Sequence, residues 1–245
     1  MSVLSKKDIA ALMAANKENK ATPAKATGYI IHEDSLRVAI ATIETKNAKT
    51  GNMVQVWILS KEDEPNKLVK SGKDDTVCGN CPLRAGNGCY VMTHQAPLSI
   101  YRSYLKGNYS SNYNEFLEVV SNRQVRFGAY GDPYFIPLNI LQEIAKTCKS
   151  YTGYTHQWNN KDFNNDYLTI LMASVDNQRQ IKKLPTEAKY FRIIQDLEEM
   201  QPNENMCDNL LYGTSCSDCM KCSGLNESSI VVLAHGIKSK KIKTA

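Results

Sequence analysis

No run of about 18 apolar residues occurs in this 245-residue chain, which excludes a membrane-spanning helix, and no membrane partner is expected. The opening stretch MSVLSKKDIAALMAANKENK lacks the apolar core of a secretory signal, so the chain is expected to stay in a reducing cytoplasm. There is no P-loop, no G-x-G-x-x-G and no G-x-S-x-G, and chemistry built on phosphate-cradling glycine loops or a serine nucleophile is set aside. Charge of one sign is also scarce. A net charge of +5 is modest for the length, and 42% hydrophobic with 22% charged residues describes an ordinary globular chain with one sizeable core.

Cysteine is plentiful, with eight in the chain. In a reducing compartment clustered thiols are metal ligands or redox centres more often than disulfides. Cys78, Cys81 and Cys89 lie in CGNCPLRAGNGCY, a C-x2-C-x7-C loop with Gly79, Gly86 and Gly88 to bend it around an inorganic core. Its fourth ligand is either a distant residue, with His94 or a thiol of the second group as candidates, or an open coordination position. Cys207, Cys216, Cys219 and Cys222 form the second group, in which C-x2-C-x2-C wraps a tight loop that suits a cubane and Cys207 supplies a fourth thiolate. The expected cofactor is a [4Fe-4S] cluster, one or two per chain, with zinc as the alternative. Cys148 ends the apolar stripe Ile140, Leu141, Ile144, Ala145 and reads as a buried thiol.

The pattern along the chain predicts a short helix from Ser5 through Ala15 and then a linker. SLRVAIATIET and MVQVWILS, joined by KNAKTGN, predict a β-hairpin, and KEDEPNKLVKSGKDD reads as a polar loop. From residue 97 helical and strand patterns alternate: QVRFGAYGD, YTGYTHQW, YLTILMASVD, KYFRIIQDL and SSIVVLAHG read as strands. Strands separated by helical connections pair in parallel. The expectation is an α/β fold, a complete or partial (β/α) barrel-like parallel sheet with cysteine-rich metal-binding loops and an N-terminal β-hairpin. It divides into residues 1–27 as helix and linker, 28–236 as a single barrel-like domain, and 237–245 as a basic tail.

Polar residues recur at the ends of the apolar strands: Asp132, His156 with Gln157, Asp176, Asp196 and His235. In parallel α/β folds the loops after the strands converge on the site. Asp132, His156 and Asp176 are therefore candidates for proton or substrate handling. The plain alternative is that each aspartate caps the next helix.

VRFGAYGDPYFIPLNILQEIAKTC, YTGYTHQW, LMASVDN and the closing CSDCMKC together resemble the phage-encoded family named gene product eighty-eight, first described in mycobacteriophages. The resemblance spans roughly residues 76 to 225 and rests on the order of these elements, including Cys89-Tyr90, Gly131-Asp132 and the Tyr154-Thr155 strand ending near Trp158. It implies a phage protein acting in the host cytoplasm. Tyr90 and Gly131 from these motifs, with Asp196, are assigned to cofactor binding. The chain is more remotely similar to radical SAM enzymes, barrels in which three cysteines leave one iron open to S-adenosylmethionine. It departs from them in its C-x2-C-x7-C spacing and in having no Gly-Gly-Glu element.

Tyr101, Tyr104, Tyr109 and Tyr113 with Arg102 and Lys106 could stack bases, but the stretch reads more simply as an amphipathic helix and surface loop. Lys238, Lys240, Lys241 and Lys243 give the tail an electrostatic handle for nucleic acid, against the plain reading of a solvated end. Two functions of different class follow. One is an iron-sulfur redox or radical SAM-like enzyme with a small-molecule substrate or redox partner. The other is a metal-stapled protein that binds a host or phage macromolecule without catalysis.

Overall fold

The computed structural model describes residues 27–235 and 239–242. The helix expected before residue 16, and Lys238 and Lys243 of the tail, lie outside the described residues. Ten strands form two five-stranded sheets. The first has the order β1 (Gly28–Glu33), β2 (Arg37–Thr42), β3 (Val54–Ser60), β4 (Gln124–Tyr130) and β5 (Ser150–Thr152). β1–β2 and β2–β3 pair antiparallel, with Ile40 opposite Trp57, and β3–β4–β5 pair in parallel. The expected hairpin is thus β2–β3, and β1 adds a strand that its pattern did not contain. β3 is buried at every position, as a central strand covered on both faces must be.

The second sheet is all parallel, in the order β6 (Tyr154–Thr155), β7 (Met172–Val175), β8 (Tyr190–Ile194), β10 (Ser229–Leu233) and β9 (Glu204–Met206). Only Gly153 separates β5 from β6, so YTGYTHQW is one extended run that changes sheets at its glycine. A Cβ there would stand 2.7 Å from Leu171 Cδ2 and 2.9 Å from Phe127 Cβ, closer than packed carbons tolerate. The parallel strands follow chain order until β9, which lies at the edge while β10 returns inside it. Among the described residues the sheets form no closed barrel: β1 and β9 are terminal strands. A complete barrel is therefore corrected to an open α/β wall with an antiparallel edge.

Helices cover the first sheet. The Lys61–Asp75 stretch, polar enough to read as a loop, contains α1 (Pro65–Ser71), which buries Leu68 and ends at Gly72 in the left-handed region, φ 72°. A glycine there avoids the Cβ clash of that conformation. It is followed by α2 (Asp75–Cys78) and α3 (Ala96–Leu105). In α4 (Tyr113–Val120), Asn112 caps the Glu115 amide and Phe116 and Val120 form the buried i, i+4 pair. α4 packs on β1 and on α5 (Leu138–Thr147), whose Leu141 and Ile144 enter the same core. Tyr101 is buried, Tyr104 donates to Glu33 and Tyr113 to Glu143. These tyrosines serve packing, as the plain reading of that stretch holds. Cys148 is buried in the main core, as its stripe predicts.

Candidate metal and ligand site

The first cysteine loop leaves β3 through α1 and α2 and is held from two sides. Buried Asp74 accepts from Arg84 Nη1 at 3.1 Å and from the Ala85 amide at 2.7 Å, which folds the Cys81–Cys89 turn back on itself. Gln157, also buried, donates to the Cys78 carbonyl (3.1 Å) and to Asp132 Oδ2 (3.1 Å), and accepts from the Asn80 amide (3.1 Å). Gly79, at φ 54°, lies against that amide, so no larger residue fits without moving it. Asp132 completes the frame. It accepts from the amides of Tyr134 (3.0 Å) and His156 (2.8 Å), and its own amide donates to the Val77 carbonyl.

This frame aims His156 at the loop. Its Nε2 is 4.0 Å from Cys81 Sγ and 3.5 Å from Asp176 Oδ1. Burial alone would lower the imidazole pKa, but the Cys81 thiol and the Asp176 carboxylate outweigh it and push it up to about 10. Burial pushes the Cys78 thiol well above its ordinary range, and Cys81, Cys89, Asp74 and Asp132 add to the effect. The three thiols therefore lie within one another's field. The buried Tyr130 hydroxyl, whose pKa burial and the nearby Cys78 raise, has no hydrogen-bond partner. An orphaned O–H donor beside crowded thiols fits a thiolate-bound metal, which would give it an acceptor and reverse the thiol shifts. His94, by contrast, is exposed, so His156 is the imidazole that the fold brings to this group.

The second group occupies the crossover from β9 to β10, with α6 (Asp208–Tyr212) and α7 (Cys216–Cys219) between them. Cys222 neighbours Cys207, Cys216 and Cys219. Its pKa is raised to about 12: burial is the largest cause, the Tyr154 hydroxyl partly offsets it by donating to the thiol, and the other three thiols add to the rise. Met220 turns the chain between the ligands with φ 53°. The Cys216 and Ser217 amides donate to the Lys49 and Thr50 carbonyls, and Gln124 Nε2 donates to the Ser217 carbonyl. Part of this group thus stands toward the start of β4, whereas His156 and Asp176 follow β6 and β7. The cysteines do not all gather at the C-terminal rim, because the β2–β3 connection supplies the carbonyls that hold the crossover. Among the described residues no set of three or more His, Cys, Asp or Glu side chains converges as arranged on a point that could hold a metal ion. The donor chemistry of four neighbouring thiols nonetheless suits a cubane, whose ligands bind separate corners.

Between the two groups lies a cavity of about 560 Å³, within the range of small-molecule sites. Cys207, Cys216, Cys219 and Cys222 open onto it, as do His156 and Asp176, while Cys78, Cys81 and Cys89 do not. Its apolar side is Phe191, Ile193, Val232 and Leu233, with Tyr154 and Phe191 rings 4.6 Å apart. Its cations are Lys49, Arg126, Arg192, Lys221 and Lys241; Arg192 is paired with Glu204 and Lys221 with Asp208, and Lys241 Nζ donates to the Gly86 carbonyl, which leaves Lys49 and Arg126 as the pair that meets at Tyr90. Lys49 Nζ donates to His235 Nε2 (3.3 Å), whose Nδ1 faces the Leu233 carbonyl (2.8 Å). Arg126 Nη2 donates to Tyr90 Oη (3.3 Å), and its Cζ lies 5.9 Å from the Tyr154 ring centroid. Arg126 is legible as the polar alternate between core Val125 and Phe127 in β4. Gln157 has only the signal it shares with His156, that of a polar residue near the end of a strand.

The other candidates separate. Tyr90 is on the cavity wall. Asp132 is buried beneath it and holds the His156 backbone rather than facing the space. Gly131, at φ 76°, lets β4 close on β3: a Cβ there would be 2.7 Å from Ile58 Cβ, so a glycine is needed for this backbone approach. Asp196 is exposed, lies outside the cavity wall and forms a capping box with Glu199, the arrangement of the plain alternative. Comparison of the chain with protein-family models, with curated proteins and with solved structures gives no match.

Proposed function

We propose that this chain is an iron-sulfur protein with a redox role, phage-encoded like the family it resembles, in which Cys207, Cys216, Cys219 and Cys222 hold a [4Fe-4S] cluster on the cavity wall. The observation that carries the proposal is the gathering of four thiols around Cys222, open to a ligand-sized cavity. Bound there, such a cluster supplies one-electron transfer to whatever the cavity holds. The chain's own contributions are specific. Tyr154 donates a hydrogen bond to Cys222, Arg126 places a positive charge in the field of Cys216 and Cys222, and His156 with Asp176 offers a proton site on the same cavity. Cleavage of S-adenosylmethionine does not follow, because the cysteine spacing and the missing Gly-Gly-Glu element depart from that chemistry.

Cys78, Cys81, Cys89 and His156 make a second donor set of three thiols and an imidazole. That composition is also the one closed structural zinc sites use, and it favours a second reading in which a metal staples this loop so that the protein can bind a macromolecule. Iron, zinc and acid-labile sulfide analysis of anaerobically purified protein, with EPR before and after dithionite, separates the two. About four irons and four sulfides per chain with a reducible signal, lost in Cys222→Ser, are expected. Stoichiometric zinc without sulfide sinks the iron-sulfur proposal.

A further inference from the structure

We infer that the cavity is a binding site for a small organic anion, a phosphate or carboxylate attached to a planar ring, with Lys49 and Arg126 holding the anionic group. Among the described residues neither cation forms a salt bridge: the ion pairs involve Arg37, Lys61, Lys67, Arg84, His156, Arg192 and Lys221. The partners that Lys49 and Arg126 do have are neutral acceptors, His235 and the Tyr90 hydroxyl. Both cations also meet at Tyr90. Lys49 Nζ lies 5.8 Å from its ring centroid while Arg126 reaches its hydroxyl, so one ring bridges the two charges across the cavity wall.

A cation facing an enclosed space without a carboxylate is electrostatically unsatisfied, and an anion that enters replaces lost hydration with charge-assisted hydrogen bonds. A guanidinium receives phosphate or carboxylate on two donors at once, and an ammonium adds a point charge. The remainder of the space is matched to a flat apolar body. Phe191, Ile193, Val232 and Leu233 form one side, and the Tyr154 and Phe191 rings present aromatic faces beside the Arg126 end. The Asp176 carboxylate is already engaged by His156, which leaves the two ends of the cavity chemically distinct. The inference takes the cavity to be the working site, as the iron-sulfur proposal does, but it rests on side chains of the chain and holds for zinc or iron alike.

The test is calorimetric titration of the anaerobically purified full chain with five probes: adenosine 5′-monophosphate, phenyl phosphate, 3-phenylpropionate, orthophosphate and adenosine. At least one ring-bearing anion is expected to saturate with Kd below about 1 mM. It should bind about tenfold or more tighter than orthophosphate and neutral adenosine, and the two phosphates against the carboxylate identify the head group. Lys49→Gln and Arg126→Gln should each weaken that binding about tenfold with unchanged far-ultraviolet circular dichroism. Lys49, on the β2–β3 connection, keeps the test open if the Arg126 variant fails to fold. No saturation by any ring-bearing anion overturns the inference, and so does unchanged affinity in Lys49→Gln. If Arg126→Gln alters only the EPR signal and leaves anion affinity intact, Arg126 is a counter-ion to the thiolates and the inference fails. Metal analysis of the same sample reports separately on the iron-sulfur proposal.

Discussion

Gln157 is a single buried amide that spans from the second sheet to the first cysteine loop. Its contacts to the Cys78 carbonyl, the Asn80 amide and Asp132 hold the loop at the height where His156 meets Cys81. Replacing it with leucine leaves those backbone groups and one carboxylate oxygen short of partners inside the protein. The expected cost for Gln157→Leu is about 1–3 kcal/mol in denaturant unfolding, together with loss of metal from the first group only. Retention of full metal content would show that the loop holds itself. The sequence places Gln157 beside His156 near the end of a strand, but its partners at Cys78 and Asn80, 79 and 77 positions away, were not legible there. His156 could be read from its place after a strand, but its pairing with Cys81, 75 positions away, could not.

At the scale of the element, β8 and β9 are tied by a buried ion pair. Arg192 Nε and Nη2 reach the two Glu204 carboxylate oxygens at 2.6 and 2.8 Å, and Glu204 is fully buried. β9 has only three residues and lies at a sheet edge, so its own ladder with β10 is short. The pair anchors the strand that launches the terminal cysteine crossover. Glu204→Ala is expected to destabilise by about 3–5 kcal/mol because it leaves the buried guanidinium with only the long 3.9 Å ion pair to Glu199. The double replacement Arg192→Met with Glu204→Leu should recover most of that loss, as measured by thermal unfolding. A double variant no better than the single would assign the cost to packing instead. Neither β9 nor this pair is visible as a sequence pattern, since three residues are too few for an alternation to register.

Over the whole molecule, apolar packing is unevenly shared. The main core, from Tyr29 to Leu171, fills the first sheet and its helices, while the second sheet has two small clusters around Trp158 and around Met206. Leu210, Leu211, Tyr212 and Leu225 of the crossover are exposed. The crossover segment therefore has few apolar contacts of its own and is held by hydrogen bonds to Lys49, Thr50 and Gln124; under the proposed function, ligation would add to these. Removing metal by chelation under reducing conditions should speed hydrogen exchange in residues 76–95 and 207–224, with β2 to β4 still protected. Global loss of protection on metal removal would show that the centres are needed for the entire fold.

The sequence by itself determined the α/β class, the β2–β3 hairpin, the buried Cys148, the grouping of the other seven thiols and the polar strand ends, because spacing and alternation are local properties of a chain. Tertiary structure alone decided which strand end faces the cavity and which merely caps a turn. Asp176 and Asp196 look alike after their strands, yet one meets His156 and the other closes a capping box. It also decided that the sheets stay open, that Gly153 carries the chain between them, and that Arg126 and Lys49 share one space. Those outcomes depend on how strands stack and on distances between residues far apart in the chain, and a linear pattern does not encode either.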